Sequence, residues 1–139
     1  MSGGAPFKEL LINLPVFSAS RGDLFVAEIK KQLHFGVNRI FIVCNVPVNE
    51  IRGEHAHREC HQLLICVKGS VHAVVDNGVS KGAFHLDSPA KGLYLPPMIW
   101  GGQFNYSQDA VLLVLASHQY SEGDYIRNYD DFLDIVRSL

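Results

Sequence analysis

The chain is predicted to fold as an all-β protein, an antiparallel sandwich or barrel with one short helix at its C-terminal end. Two observations carry this prediction. Short apolar runs rich in β-branched residues recur about every ten positions, and only the final segment, YDDFLDIVRSL, spaces its apolar residues as one face of a helix.

The runs are Leu10 to Leu14, Leu24 to Ile29, Arg39 to Val46, Leu63 to Val67, Val71 to Val75, Ala83 to Leu86, Gly92 to Leu95 and Val111 to Ala116. Between the fifth and the sixth stands Asp76-Asn77-Gly78, whose Asn-Gly pair tolerates the positive φ of a tight hairpin turn. At the end, Phe132, Ile135 and Val136 fall on one helical face, and Asp130 and Asp131 lie near the positive end of the helix dipole. With 139 residues, 47% of them hydrophobic and 19% charged, the chain is expected to form one domain over residues 1–139.

Composition excludes several classes of function. A net charge of -2 supplies no basic field for nucleic acid or anionic lipid. No apolar run approaches the roughly 20 residues of a membrane helix, and MSGGAPFKELL lacks the basic and apolar stretches of a signal peptide, so a cytoplasmic protein is expected. Cys44, Cys60 and Cys66 form no CxxC pair and are read as reduced, mostly buried thiols.

The chemistry concentrates in RGEHAHRECHQ, Arg52 to Gln62, with three histidines, two carboxylates, two arginines and a cysteine in eleven residues. In an extended strand His55 and His57 point to the same face, whereas His61, offset by an odd number, points away. A polar strand end on the surface is the plain alternative, but the apolar run directly after Gln62 argues against full exposure.

HAH, then Gln62, then Gly69, followed later by Pro96, Gly101 and Asn105, resembles the two motifs of the cupin superfamily. That resemblance implies a cupin barrel, and it implies a metal cage of two histidines, a glutamate and a later histidine. Gln62 and Gly101 stand where two of those four ligands would be, so no metal and no cofactor is expected. SRGDL, RGEHAHR, LDSPAKGLYLPPMIW, VLLVLAS and DYIRNYDDFL together resemble the sugar 3,4-ketoisomerases that act on dTDP-4-keto-6-deoxyglucose.

That family resemblance implies a metal-independent homodimer whose partner is a dTDP-linked keto-deoxysugar, with His55 and His57 as its acid–base pair and Arg52 as a substrate contact. Neutral imidazoles suit the task, because moving a carbonyl from C4 to C3 requires a base, an enediolate and a returned proton. Arg21, before Gly22, resembles the branch whose product has the galacto configuration, and is the second substrate-contact candidate. A turn residue is the alternative for Arg21, and a surface or dimer ion pair for Arg52.

Two departures stand out: Phe41 where the family has a tyrosine, and Trp100-Gly101 where it reads Trp-His. They keep open a cupin that binds a nucleotide sugar or a protein partner without turnover, and, further off, a metal-dependent cupin enzyme. Tyr120, Tyr125 and Arg127 are read as packing or dimer-contact residues. His72 is read as facing outward on its strand, and His34, His85 and His118 as isolated. The apolar run LLINLPVF is expected to add a strand to a partner's sheet.

Overall fold

A computed structural model describes residues 7–139. Two five-stranded sheets face each other. The first has the order β1 (Leu11–Asn13), β9 (Lys91–Leu95), β6 (Gln62–Lys68), β11 (Val111–Ala116), β4 (Arg39–Cys44). The second runs β12 (Tyr125–Ile126), β5 (Arg52–His57), β10 (Trp100–Phe104), β7 (Val71–Asp76), β8 (Lys81–Leu86). β2 (Val16–Ala19) and β3 (Gly22–Phe25) form a separate hairpin. All of these strand pairs are antiparallel.

Strand alternation decides what fills the space between the sheets. Leu64, Cys66, Leu93, Leu95, Leu112 and Val114 of the first sheet meet Val71, Ala73, Val75, Phe84 and Leu86 of the second, and all are buried. β6 is buried on both faces, because Leu14, Leu33 and Phe35 cover Leu63 and Ile65 from outside. This double cover explains the unbroken apolar run that follows Gln62.

The expected hairpin after Asp76 is present, closed by Asn77 N–H donating to the Ser80 carbonyl, with the positive φ of 92° falling on Gly78 alone. The expected helix is α1 (Tyr129–Arg137), capped where the Asn128 side chain accepts from Asp131 N–H. Its Phe132 is fully buried against Ala56 and Ile126, and Trp100 packs against Phe132 at 5.6 Å between ring centroids. Among the described residues no helix is long and apolar enough to cross a membrane.

Some sequence readings need correction. The run from Leu24 ends as a strand at Phe25, because the chain leaves the hairpin there; Ala27 to Leu33 is irregular apart from one Ile29–Leu33 bridge. LLINLPVF does not form one strand: Leu11–Asn13 pairs with β9 of its own sheet, and Val16 onward turns into the hairpin. His85 is not isolated, since it is the direct cross-strand partner of His72, with ring centroids 4.4 Å apart. The reading of mostly buried thiols, by contrast, agrees with the structure: Cys60 and Cys66 are buried, and Cys44 is exposed at the edge strand β4.

Candidate active site

A cavity of about 240 Å³ opens between the sheets, lined by Phe41 of β4, by Arg52, His55 and His57 of β5, by Gln62 of β6, by Gly101 and Gln103 of β10, and by Tyr125 and Arg127. Three residue candidates from one short motif thus share one wall. Alternation alone would not allow it, since Arg52 and His55 are three apart and should face opposite ways.

A β-bulge restores the match. His55 pairs with Gly101, but the next residue of β10, Gly102, pairs with Gly53, so Glu54 is an extra residue on β5. Gly53 and Glu54 take positive φ values of 85° and 56°. At Gly53 a Cβ atom would sit 3.0 Å from Gln103 Oε1 and 3.1 Å from the Gly101 carbonyl, so only glycine fits this crossing.

Both imidazoles are held in defined tautomers. His55 Nδ1 lies 3.0 Å from the Gly53 carbonyl, which can only accept, so Nδ1 carries the proton and Nε2 the lone pair. His57 Nδ1 lies 2.8 Å from Asp124 Oδ2. Asp124 also accepts from the Glu59 amide at 2.7 Å and from the Cys60 amide at 3.3 Å. Burial opposes the charge on Asp124, but the bonds from His57 and these amides outweigh it and hold the carboxyl below its ordinary range. Asp124 is therefore ionised and accepts from His57 Nδ1–H, which leaves the buried His57 Nε2 with its lone pair and no partner among the described residues.

The same surroundings keep both rings neutral. Burial, then the neighbouring His57, lowers the pKa of His55 from 6.5 to about 4, with Arg127 and Arg39 adding to the effect against the Gly53 carbonyl. Burial also lowers His57, although Asp124 pulls in the other direction. The two rings meet edge-on at 5.0 Å, and Tyr125 packs against both, at 4.8 and 4.4 Å. The Arg127 guanidinium stacks over Tyr125 at 4.3 Å and is oriented by Glu122 at 2.8 Å.

Asp124, Tyr125 and Arg127 were not among the site candidates read from the sequence. They arrive because β12 pairs with β5, placing Tyr125 opposite His57 and Ile126 opposite Ala56. The available signal was the DYIRNYDDFL block, which mixes a carboxylate, a phenol and a guanidinium outside any apolar run. His61 does turn away, its Nδ1 2.6 Å from the Tyr94 hydroxyl and its ring stacked on Phe35. Arg21 lies in the exposed turn between β2 and β3 and does not line the cavity of its own chain.

The cupin metal cage does not fit this cavity. His55 and His57 supply two nitrogens, but Gln62 offers only a neutral amide and Gly101 no side chain. A Cβ atom at Gly101 would meet Leu95 Cδ1 at 3.4 Å, an ordinary contact, so the backbone there does not itself bar a side chain.

Two facing antiparallel sheets that close over a histidine pair make this a cupin-fold protein of the ketoisomerase kind. More narrowly, the chain belongs to the FdtA family, described as "WxcM-like, C-terminal", whose model matches residues 8–137. A TDP-4-oxo-6-deoxy-alpha-D-glucose-3,4-oxoisomerase of Aneurinibacillus thermoaerophilus is 40% identical over 129 residues, covering 93% of each chain. The structure of QdtA, a sugar 3,4-ketoisomerase from Thermoanaerobacterium thermosaccharolyticum in complex with TDP, superposes with a TM-score of 0.88 at 36% identity, over 92% of this chain and 93% of that one. A TDP-fucose-3,4-ketoisomerase, WlaRA of Campylobacter jejuni, gives a TM-score of 0.88 at 29% identity, over 93% and 96%.

Proposed function

We propose that this chain is an isomerase that converts TDP-4-keto-6-deoxyglucose to a TDP-3-keto-6-deoxyhexose without a metal, with His55 and His57 as its acid–base pair. The observation that carries the reading is a pair of neutral imidazoles that line one cavity, each with Nδ1–H bonded away and Nε2 left with its lone pair. The oxoisomerase and ketoisomerase relatives support the substrate.

The chemistry follows from these states. One imidazole takes the C3 proton, the electron pair forms the C3–C4 double bond, and the C4 oxygen becomes an enediolate anion. Return of a proton to C4 with loss of the O3 proton leaves the ketone at C3. We assign the first step to His57, because the Asp124 carboxylate stabilises the imidazolium that forms and fixes the ring. Arg52 and Arg127 supply positive charge for the enediolate or the diphosphate.

We further propose a homodimer. Phe17 and Leu24 on the hairpin and Ile40 and Ile42 on the edge strand β4 are each about 60% exposed, an apolar surface suited to a second copy. A monomeric mass by light scattering at micromolar concentration would contradict it. The dimer also gives Arg21 its role: exposed in the hairpin turn and outside its own cavity, it reaches substrate only from a neighbouring copy, where it favours the galacto product.

Phe41 and Gly101 leave a hydroxyl and an imidazole out of the cavity wall, which favours as a second reading a cupin that binds the nucleotide sugar without turning it over. Incubation with TDP-4-keto-6-deoxyglucose in deuterated water, followed by NMR of the sugar protons, separates the two. Loss of the C3 proton signal and a new 3-keto product support the isomerase. Binding with neither change supports the second reading.

A further inference from the structure

Behind the cavity, three donors of different kinds meet. The ligand atoms of His57, Cys60 and Asp124 all lie within 4.8 Å of one another. His57 and Cys60 are buried, and the Asp124 side chain is only 11% exposed. His57 lines the cavity, whereas Asp124 lines an open cleft on the other side together with Glu59, His61 and Ser117. The trio therefore forms part of the wall between two solvent-reaching spaces, separate from the cupin cage positions Gln62 and Gly101.

We propose that His57, Cys60 and Asp124 form an inhibitory site for zinc or a similar divalent transition metal. An imidazole, a thiolate and a carboxylate are the donor types zinc takes, and three protein ligands leave a fourth position for water. The two anionic ligands balance the ion's two positive charges, which a buried site requires. Part of the outer support already exists: the Glu59 amide holds Asp124 Oδ1 at 2.7 Å, while Oδ2, the oxygen beside His57, takes only the longer 3.3 Å bond from the Cys60 amide besides the His57 bond that the metal replaces. Ser117 Oγ and the His61 carbonyl lie 3.8 and 3.4 Å from the Cys60 sulfur.

Binding replaces the Cys60 S–H bond with a metal–sulfur bond and releases that proton to solvent. The metal takes His57 Nδ1, whose proton moves to Nε2. A neutral ring protonated on Nε2 has no lone pair left for the substrate, so occupancy stops proton transfer. That consequence rests on the ketoisomerase reading, whereas the binding itself does not.

Cobalt(II) is the direct probe, since a thiolate ligand gives a charge-transfer absorption in the near ultraviolet. Chelator-treated protein should develop this band at one cobalt per chain, Cys44→Ser should keep it, and Cys60→Ser should lose it. Zinc should inhibit the wild type, and the inhibition constant should rise by about tenfold or more in Cys60→Ser, whose metal-free turnover stays unchanged. Should Cys60→Ser fail to fold, Cys60→Ala and Asp124→Asn, read by the cobalt band alone, test the same ligand set. Absence of the band in the wild type, its survival in Cys60→Ser, or unchanged zinc inhibition there overturns the proposal. A wild-type protein without ketoisomerase activity leaves the cobalt readout intact and counts against the catalytic reading only.

Discussion

Acidification tests the electrostatics of the site through the stability of the whole chain. His55 titrates at about 4 in the folded protein against 6.5 ordinarily, burial and the adjacent His57 being the main causes. Between those two values the unfolded chain binds a proton at residue 55 that the folded chain refuses. Stability is therefore complete above pH 6.5 and is lost as pH falls through the window to about 4. A difference of that size corresponds to about 3 kcal/mol, reduced by solvent screening at this half-buried ring to about 2 kcal/mol. The assay is urea unfolding at fixed protein concentration from pH 7.5 to pH 4, on the wild type and on His55→Asn. The variant should lose about 2 kcal/mol less than the wild type across the range. Parallel losses in the two proteins would refute the assignment of a depressed pKa to His55 and with it the neutral pair at the centre of the mechanism.

Turnover should fall by about two to four orders of magnitude in His55→Asn and in His57→Asn, and far less in His61→Asn, with TDP affinity little changed in all three by calorimetry. Asp124→Asn presents an amide where a carboxylate fixed the tautomer of His57; kcat should drop by about two orders of magnitude or more while KM moves little, and equal loss in both parameters would point to misfolding instead. The acid limb of kcat should lie below pH 6.5, since both imidazoles are lowered from their ordinary value; a midpoint at or above 6.5 contradicts their burial. Phe132→Ala, at a fully buried position under Trp100, should cost about 3–5 kcal/mol in urea unfolding.

Local rules made much of the fold legible. Period-two alternation and turn residues located the strands that fill the core, and HAH put two imidazoles on one face, where the cavity has them. The same rule would have turned Arg52 outward, and only the bulge at Gly53 and Glu54 brings it in; a glycine inside a strand is the sequence's faint sign of such a defect. β2, β10 and β12 were harder to see. β10 is Trp-Gly-Gly-Gln-Phe, which has little apolar periodicity, and β12 has two residues whose place depends on pairing with β5. Asp124 and Arg127 follow from that pairing, so the partner of His57 was hidden by distance along the chain: 67 residues separate them.

That separation governs when the protein becomes competent. A ribosome delivers β5 long before it delivers residue 124, and most of both sheets can pair while His57 still lacks the carboxylate that sets its proton. The nascent chain thus carries His57 without its carboxylate until the segment from residue 124 to 126 docks along β5. A chain cut after residue 120 would keep eleven of the twelve strands, all those between residues 11 and 116, yet lose Asp124, Tyr125 and Arg127 together. A cut between residues 116 and 124, by a protease or a premature stop, would on the proposed mechanism remove the base's partner before it removed the barrel.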